Sequence, residues 1–267
     1  MDRRDFLTAG KTKKATPVNP IAFASPTRTL SGINPYTGPW TVNEVIHLLK
    51  RTMFGAKKAD VDFFAAMSMN QAVDALLNVP LAQFTPAPPI KNYANSVDPA
   101  DPDNAIAAGQ TWVNINTNDG SVDSNRTNAY RNWWIGQMVN QNRNILEKMT
   151  LFWHNHFATE TDSIGRAIWC YQNNTVLRKN ALGNFKQFVK EMTTNTGMLR
   201  YQNGYLNTNT APDENYGREL QELFVVGKGA DNATQGYAEA DVKAAAKVLT
   251  GWQINGNTNT AVFTSSR

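Results

Sequence analysis

The chain has 267 residues, of which 41% are hydrophobic and 18% are charged, so it can fill a core and is neither disordered nor collagen-like. We find no apolar run near the roughly 20 residues that span a bilayer, and therefore predict no transmembrane segment. The single cysteine, Cys170, excludes an internal disulfide and any site built on paired cysteines. Its place in a helical pattern between two aromatic residues is typical of a core thiol.

The net charge of +4 belongs to one end of the chain. Residues 1–30 hold six basic and two acidic side chains, and the remainder holds 20 of each. Because the remainder of the chain has no net charge, it lacks the basic surface that would neutralise the phosphates of a nucleic acid. Nucleic-acid binding is therefore not expected.

Residues 1–38 are predicted to form a flexible leader. The segment from Asp2 to Leu7, with Arg3 and Arg4 at its centre, is similar to the twin-arginine export motif. The apolar stretch of about 7–15 residues that a signal peptide needs is missing after it. The motif argues for export and the missing stretch against it; a vestigial signal would place the protein in the periplasm or cell envelope rather than the cytoplasm.

Residues 39–267 are predicted to form one helical domain. Residues 39–79 show three short helical patterns, the first of which begins at a capping box of Thr41 and Glu44 and is closed by Gly55. Residues 80–128 are rich in proline and then in asparagine, which favours a loop-rich connection.

Residues 129–252 form the main helical block. Apolar side chains recur at helical spacing in six segments, which are 130–138, 145–157, 164–182, 185–193, 215–226 and 239–252. Only residues 253–263 have strand-like character. The predicted fold is therefore an all-α, multi-helix orthogonal bundle with long loops and minor β structure near the C-terminus.

Two of the three histidines lie in one short segment, as His154 and His156. Neutral imidazole is the commonest transition-metal ligand. Residues i and i+2 of a helix point about 200° apart, so both rings can reach one ion only where the helix ends or unwinds. The alternative interpretation is structural, with one histidine capping a helix end or bonding within a core lined by tryptophan.

The second candidate is a helical face that carries Asn215, Arg218, Glu219 and Glu222, with Tyr216, Leu220, Leu223 and Phe224 on the other side. Two carboxylates and a guanidinium can bind a cation, act as an acid–base pair or form a surface ion-pair network. All three interpretations stay open.

Several segments together resemble the large bacterial family catalogued as domain of unknown function 1800. The resemblance runs from His47 to Trp252 and rests on the segments 47–55, 147–159, 177–185, 211–220 and 249–252. It implies a largely helical, often exported protein, frequently encoded beside a family related to sulfatases, with no agreed biochemical activity. Family members usually carry other residues at Lys50, Tyr216, Gly217 and Gln221, and continue well past Trp252, so we expect this chain to be the N-terminal portion of a longer domain.

Joining the two patches gives the first functional hypothesis, a metal-assisted, hydrolase-like site. His154, His156 and Glu219 would bind one divalent ion of zinc, iron or manganese. Glu219, Glu222 and Arg218 would be catalytic, with Asn215 and Trp153 binding substrate. A non-haem iron oxygenase would suit the same ligands.

The alternatives are non-catalytic. Abundant asparagine and aromatic residues suit a polysaccharide-binding protein, and the same histidines and glutamates would also suit a structural envelope protein. The expected partners are a polysaccharide or the co-encoded sulfatase-related protein.

Overall fold

The computed structural model describes residues 34–117, 119–227 and 236–267. The twin-arginine segment and most of the predicted leader lie outside the described residues. Residues 40–267 form one compact unit. Its described part contains eleven α-helices, which are α1 (Val42–Thr52), α2 (Lys58–Ala65), α3 (Met69–Leu77), α4 (Gly120–Val139), α5 (Leu146–His156), α6 (Thr161–Ile164), α7 (Ala167–Asn180), α8 (Phe185–Thr193), α9 (Thr196–Tyr201), α10 (Glu214–Glu219) and α11 (Glu239–Val248).

Helices α1 to α3 pack around a small apolar core that includes Val45, Leu49 and Phe64. The predicted capping box is present, because Thr41 and Glu44 exchange the expected side-chain to backbone hydrogen bonds. The helix ends at Thr52 rather than at Gly55, whose φ is not positive. The closing residue of α1 is therefore not a left-handed glycine.

Helix α4 begins earlier than its apolar pattern indicates. The side chain of Asp119 caps its N-terminus by accepting from the Ser121 amide, so residues 120–128, predicted as loop, are helical. The polar segment is helical because Arg126 is buried against Asp103 rather than exposed. A buried ion pair replaces the apolar face that sequence periodicity can detect.

Helix α7 lies at the centre of the main block and packs against α4, α5, α8 and α9. Its last turn carries Arg178, which is 1% exposed and pairs with Glu147 on α5, itself 9% exposed. One Arg178 Nη–Glu147 Oε2 distance is 2.9 Å, and the guanidinium also lies over the Trp133 ring of α4. This pair fixes α7 against two neighbouring helices.

The chain ends in a hairpin of two antiparallel strands, β1 (Trp252–Asn255) and β2 (Thr260–Phe263). This is the only sheet within the described ranges. A mostly α fold with minor β structure near the C-terminus is therefore confirmed. Among the helices of the described chain, none has the length and apolar character needed to cross a membrane.

Glu147→Gln should lower the free energy of unfolding by about 3–5 kcal/mol, because it leaves the Arg178 charge buried without its anion. Chemical denaturation measures the change. The matched control is Asp62→Asn, which breaks the exposed Lys58–Asp62 pair of α2 and should cost less than about 1 kcal/mol. Equal effects of the two variants would contradict the assignment.

Candidate functional site

Helix α5 ends at His156, and the two imidazoles have different surroundings. His154 meets the edge of Trp134 on α4, with ring centroids 4.9 Å apart. The Nε2 atom of His156 lies 2.7 Å from the carbonyl oxygen of Phe224, and its ring packs against Phe157. The two histidines thus contact separate partners, as the 200° separation of i and i+2 predicts.

The environment of His154 is apolar. Burial lowers the pKa of its imidazole below the ordinary value, because a protonated ring would lose its hydration without gaining an anionic partner. A neutral imidazole at physiological pH fits either metal ligation or packing against Trp134.

The segment predicted as one helix from 215 to 226 changes geometry midway. Helix α10 ends at Glu219, and Leu220–Val225 continues as a π-helix, whose hydrogen bonds span five residues and shift the side-chain directions. Tyr216 and Phe224 are buried as predicted, whereas Leu223 is 58% exposed. The one-face pattern therefore fails at Leu223.

Arg218 and Glu222 contact helix α11 and the chain before it. Arg218 donates to both carboxylate oxygens of Glu239, at 2.6 and 2.9 Å, and lies 3.5 Å from Glu214. Glu222 accepts a 2.9 Å hydrogen bond from the Tyr237 hydroxyl. Arg218 thus joins an ion-pair network, which was one of the three interpretations of this face.

The two predicted substrate-binding residues differ in exposure. Trp153 donates to the Ala181 carbonyl oxygen and stacks on Phe185 with centroids 5.6 Å apart, so packing engages both its Nε1 atom and a ring face. Asn215 is exposed, and its backbone amide donates to the side chain of Asp213, which caps α10.

No group of three or more His, Cys, Asp and Glu side chains that could hold a metal ion occurs among the residues that the structure describes. The metal site of His154, His156 and Glu219, and the catalytic roles of Arg218, Glu219 and Glu222, stay predictions.

A groove of about 730 Å³ lies elsewhere in the described chain. Its walls are α7, the junction of α8 and α9, the loop before α4 and the end of the hairpin. Eleven of its seventeen lining residues are Asn, Gln or Thr, and Glu191 is the one charged residue among them. Such a lining offers many neutral donors and acceptors and almost no net charge.

Asn259, immediately before β2, fixes the hairpin against α7. Its Oδ1 accepts from Trp169 Nε1 at 3.0 Å and its backbone oxygen accepts from Gln172 at 2.9 Å. Its Nδ2 donates to Asn116 at 2.9 Å. The residue has φ of 53°, a left-handed conformation that asparagine tolerates better than most residues.

Asn116 and Gln172 extend this amide frame. The Asn116 Nδ2 atom donates to the backbone oxygens of Gly256 and Asn257, at 3.0 and 3.1 Å. Gln172 accepts a 2.6 Å hydrogen bond from the Thr196 hydroxyl. Loop, helix and hairpin are thus held together by neutral hydrogen bonds around the groove.

Other groove residues keep their polar groups available. The side-chain amides of Asn114 and Asn257 have no hydrogen-bond partner within the described ranges, and Tyr171 presents a half-buried ring whose edge contact is Trp133, 5.5 Å away. These groups can meet a ligand without breaking a bond of the frame.

Sequence reasoning missed this groove, although its signal was present. Asparagine enrichment in residues 114–128 indicated a loop, and the aromatic residues were assigned first to the core. Nothing in the spacing shows that residues near 114, 172, 195 and 258 converge, because they come from four separate segments.

Stability should fall as the pH decreases below about 6.5, since the folded protein holds His154 with a lowered pKa and the unfolded chain therefore binds the proton more readily. Thermal unfolding across this range measures the loss. His154→Gln should reduce the pH dependence, whereas His47→Gln, which changes an exposed residue, should retain it. An unchanged dependence in His154→Gln would contradict the argument.

The comparisons with known proteins identify the family of the chain and nothing further. A family model described as "Protein of unknown function (DUF1800)" matches residues 47–267. Neither a curated protein nor a solved structure matches the chain. The family match covers well over half of the sequence and includes the second half of α1, helices α2 to α11 and the groove, so the chain belongs to the DUF1800 family.

Proposed function

We propose that this protein binds carbohydrate in the groove between α7 and the hairpin. The observation that carries the proposal is the lining, in which Asn, Gln and Thr side chains predominate. Each amide supplies both donors and acceptors, and each hydroxyl does both at once. Sugar hydroxyls require the same combination, so one lining can satisfy several of them.

The groove also has a nonpolar part. Val113, Ile168 and Tyr171 lie among its lining residues. A tyrosine ring offers an apolar face and a polar tip, which suits a sugar ring that is apolar on its C–H face and polar at its edge. The volume of about 730 Å³ falls within the range of roughly 300–1,000 Å³ that is usual for ligand sites.

The amide frame supports the proposal through preorganisation. The hydrogen bonds of Asn259, Asn116 and Gln172 hold three segments in place before any ligand arrives. Binding then requires little ordering of the protein, which lowers its entropic cost. The available amides of Asn114 and Asn257 can be used for the ligand alone.

The test is isothermal titration with neutral hexasaccharides: β-1,4-glucan, β-1,4-mannan, α-1,4-glucan and β-1,3-glucan. We expect at least one to bind with a stoichiometry near one. The double variant N114A/N257A should weaken that binding by about ten- to hundredfold, since each lost hydrogen bond contributes roughly 0.5–1.5 kcal/mol.

The matched control is N43A/N70A, which removes two exposed amides that do not line the groove. It should bind like the unmodified protein. Absence of binding to every hexasaccharide would contradict the proposal, as would equal losses in the two double variants.

A further inference from the structure

We infer that the groove selects uncharged glycans over anionic ones, and that Glu191 is the residue responsible for the discrimination. The inference rests on the proposed function, because it concerns the ligand of the same groove.

Glu191 projects from α8 and is held firmly in place. Its Oε1 accepts from Lys179 at 2.9 Å and from Gln187 at 3.0 Å, and its Oε2 accepts from Asn180 at 2.9 Å and from Lys179 at 3.0 Å. The side chain is 22% exposed and lines the groove. A carboxylate with three donors cannot easily turn away from an approaching ligand.

The carboxylate is ionised at neutral pH. Burial by itself would raise the pKa of Glu191, but the hydrogen bonds from Gln187, Asn180 and Lys179 outweigh it and lower the pKa below the ordinary value. The groove lining therefore includes one ionised carboxylate, whose ion-pair partner Lys179 is not itself a lining residue.

Two neighbouring cations, Lys179 and Arg166, do not belong to the groove lining. Lys179 is 61% exposed and pairs with Glu191 from the side of α7. Arg166 lies 3.5 Å from Asp123 and donates to Asn116 at 3.3 Å. No Lys, Arg or His lines the groove in the described chain, so an anionic sugar would gain no charge partner there.

An anionic glycan would be disfavoured in two ways. Its carboxylate or sulfate would lose hydration without a cation to replace it, and it would approach the charge of Glu191. An uncharged sugar meets neither of these costs. A like charge placed in a binding site is a known way to reject a competing ligand.

The test uses the four neutral hexasaccharides named above and an analogue of each in which the C6 hydroxymethyl groups are oxidised to carboxylates. We expect the protein to bind the neutral member at least about tenfold more tightly than its oxidised analogue at low salt. In Glu191→Gln the ratio should fall to about threefold or less, through tighter binding of the oxidised analogue.

Two further variants separate Glu191 from its partner. Lys179→Gln keeps the carboxylate and should retain the discrimination of the unmodified protein. The double variant K179Q/E191Q lacks both charges and should lose it, which shows that an unpaired lysine is not the cause.

Two results would overturn the inference and leave the proposed function standing. One is equally tight binding of the neutral hexasaccharide and its oxidised analogue; the other is an unchanged ratio of the two affinities in Glu191→Gln and in the double variant. Absence of binding to all eight oligosaccharides would overturn both.

Discussion

The buried ion pair between Arg178 and Glu147 fixes the helix on which the candidate site is built. It joins the last turn of α7 to the first turn of α5, and the guanidinium also lies over Trp133 of α4. With α7 held there, the same helix contributes Tyr171, Gln172 and Thr175 to the groove. One desolvated charge pair thus supports the position of several uncharged groups that line the groove.

The groove depends equally on neutral hydrogen bonds. The hairpin consists of only two short strands, and an isolated two-stranded hairpin is marginally stable in water. The frame of Asn259, Asn116 and Gln172 attaches it to α7. Because these residues are uncharged, the attachment adds no charged residue to the groove lining, in which Glu191 is the one charged residue.

Much of the fold could be predicted where the signal is local. The capping box at Thr41, the exact span of α8 and the buried residues Val242 and Ala246 of α11 all follow from side chains near in sequence. The start of α4 could not, because its buried Arg126 depends on Asp103, 23 residues earlier. The π-helix after Glu219 likewise leaves no mark in apolar spacing.

The candidate site shows the same division more sharply. Rare histidines and a charged helix face attract attention in a sequence, but His154 packs against Trp134 and Arg218 pairs with Glu239. Asparagine and threonine are common residues with no distinctive spacing in the sequence. They indicate a binding surface only once the fold brings four segments together. Sequence reasoning named polysaccharide binding as an alternative from composition, and it could not locate the surface.

The most direct test of carbohydrate binding in this groove is an NMR titration that follows the side-chain amide signals of Asn114, Gln172 and Asn257 while a neutral hexasaccharide is added. The account predicts that these signals shift together and saturate, while those of Asn43 and Asn70 on α1 and α3 stay unchanged. Shifts confined to amides outside the groove, or none with any of the four hexasaccharides, would contradict it.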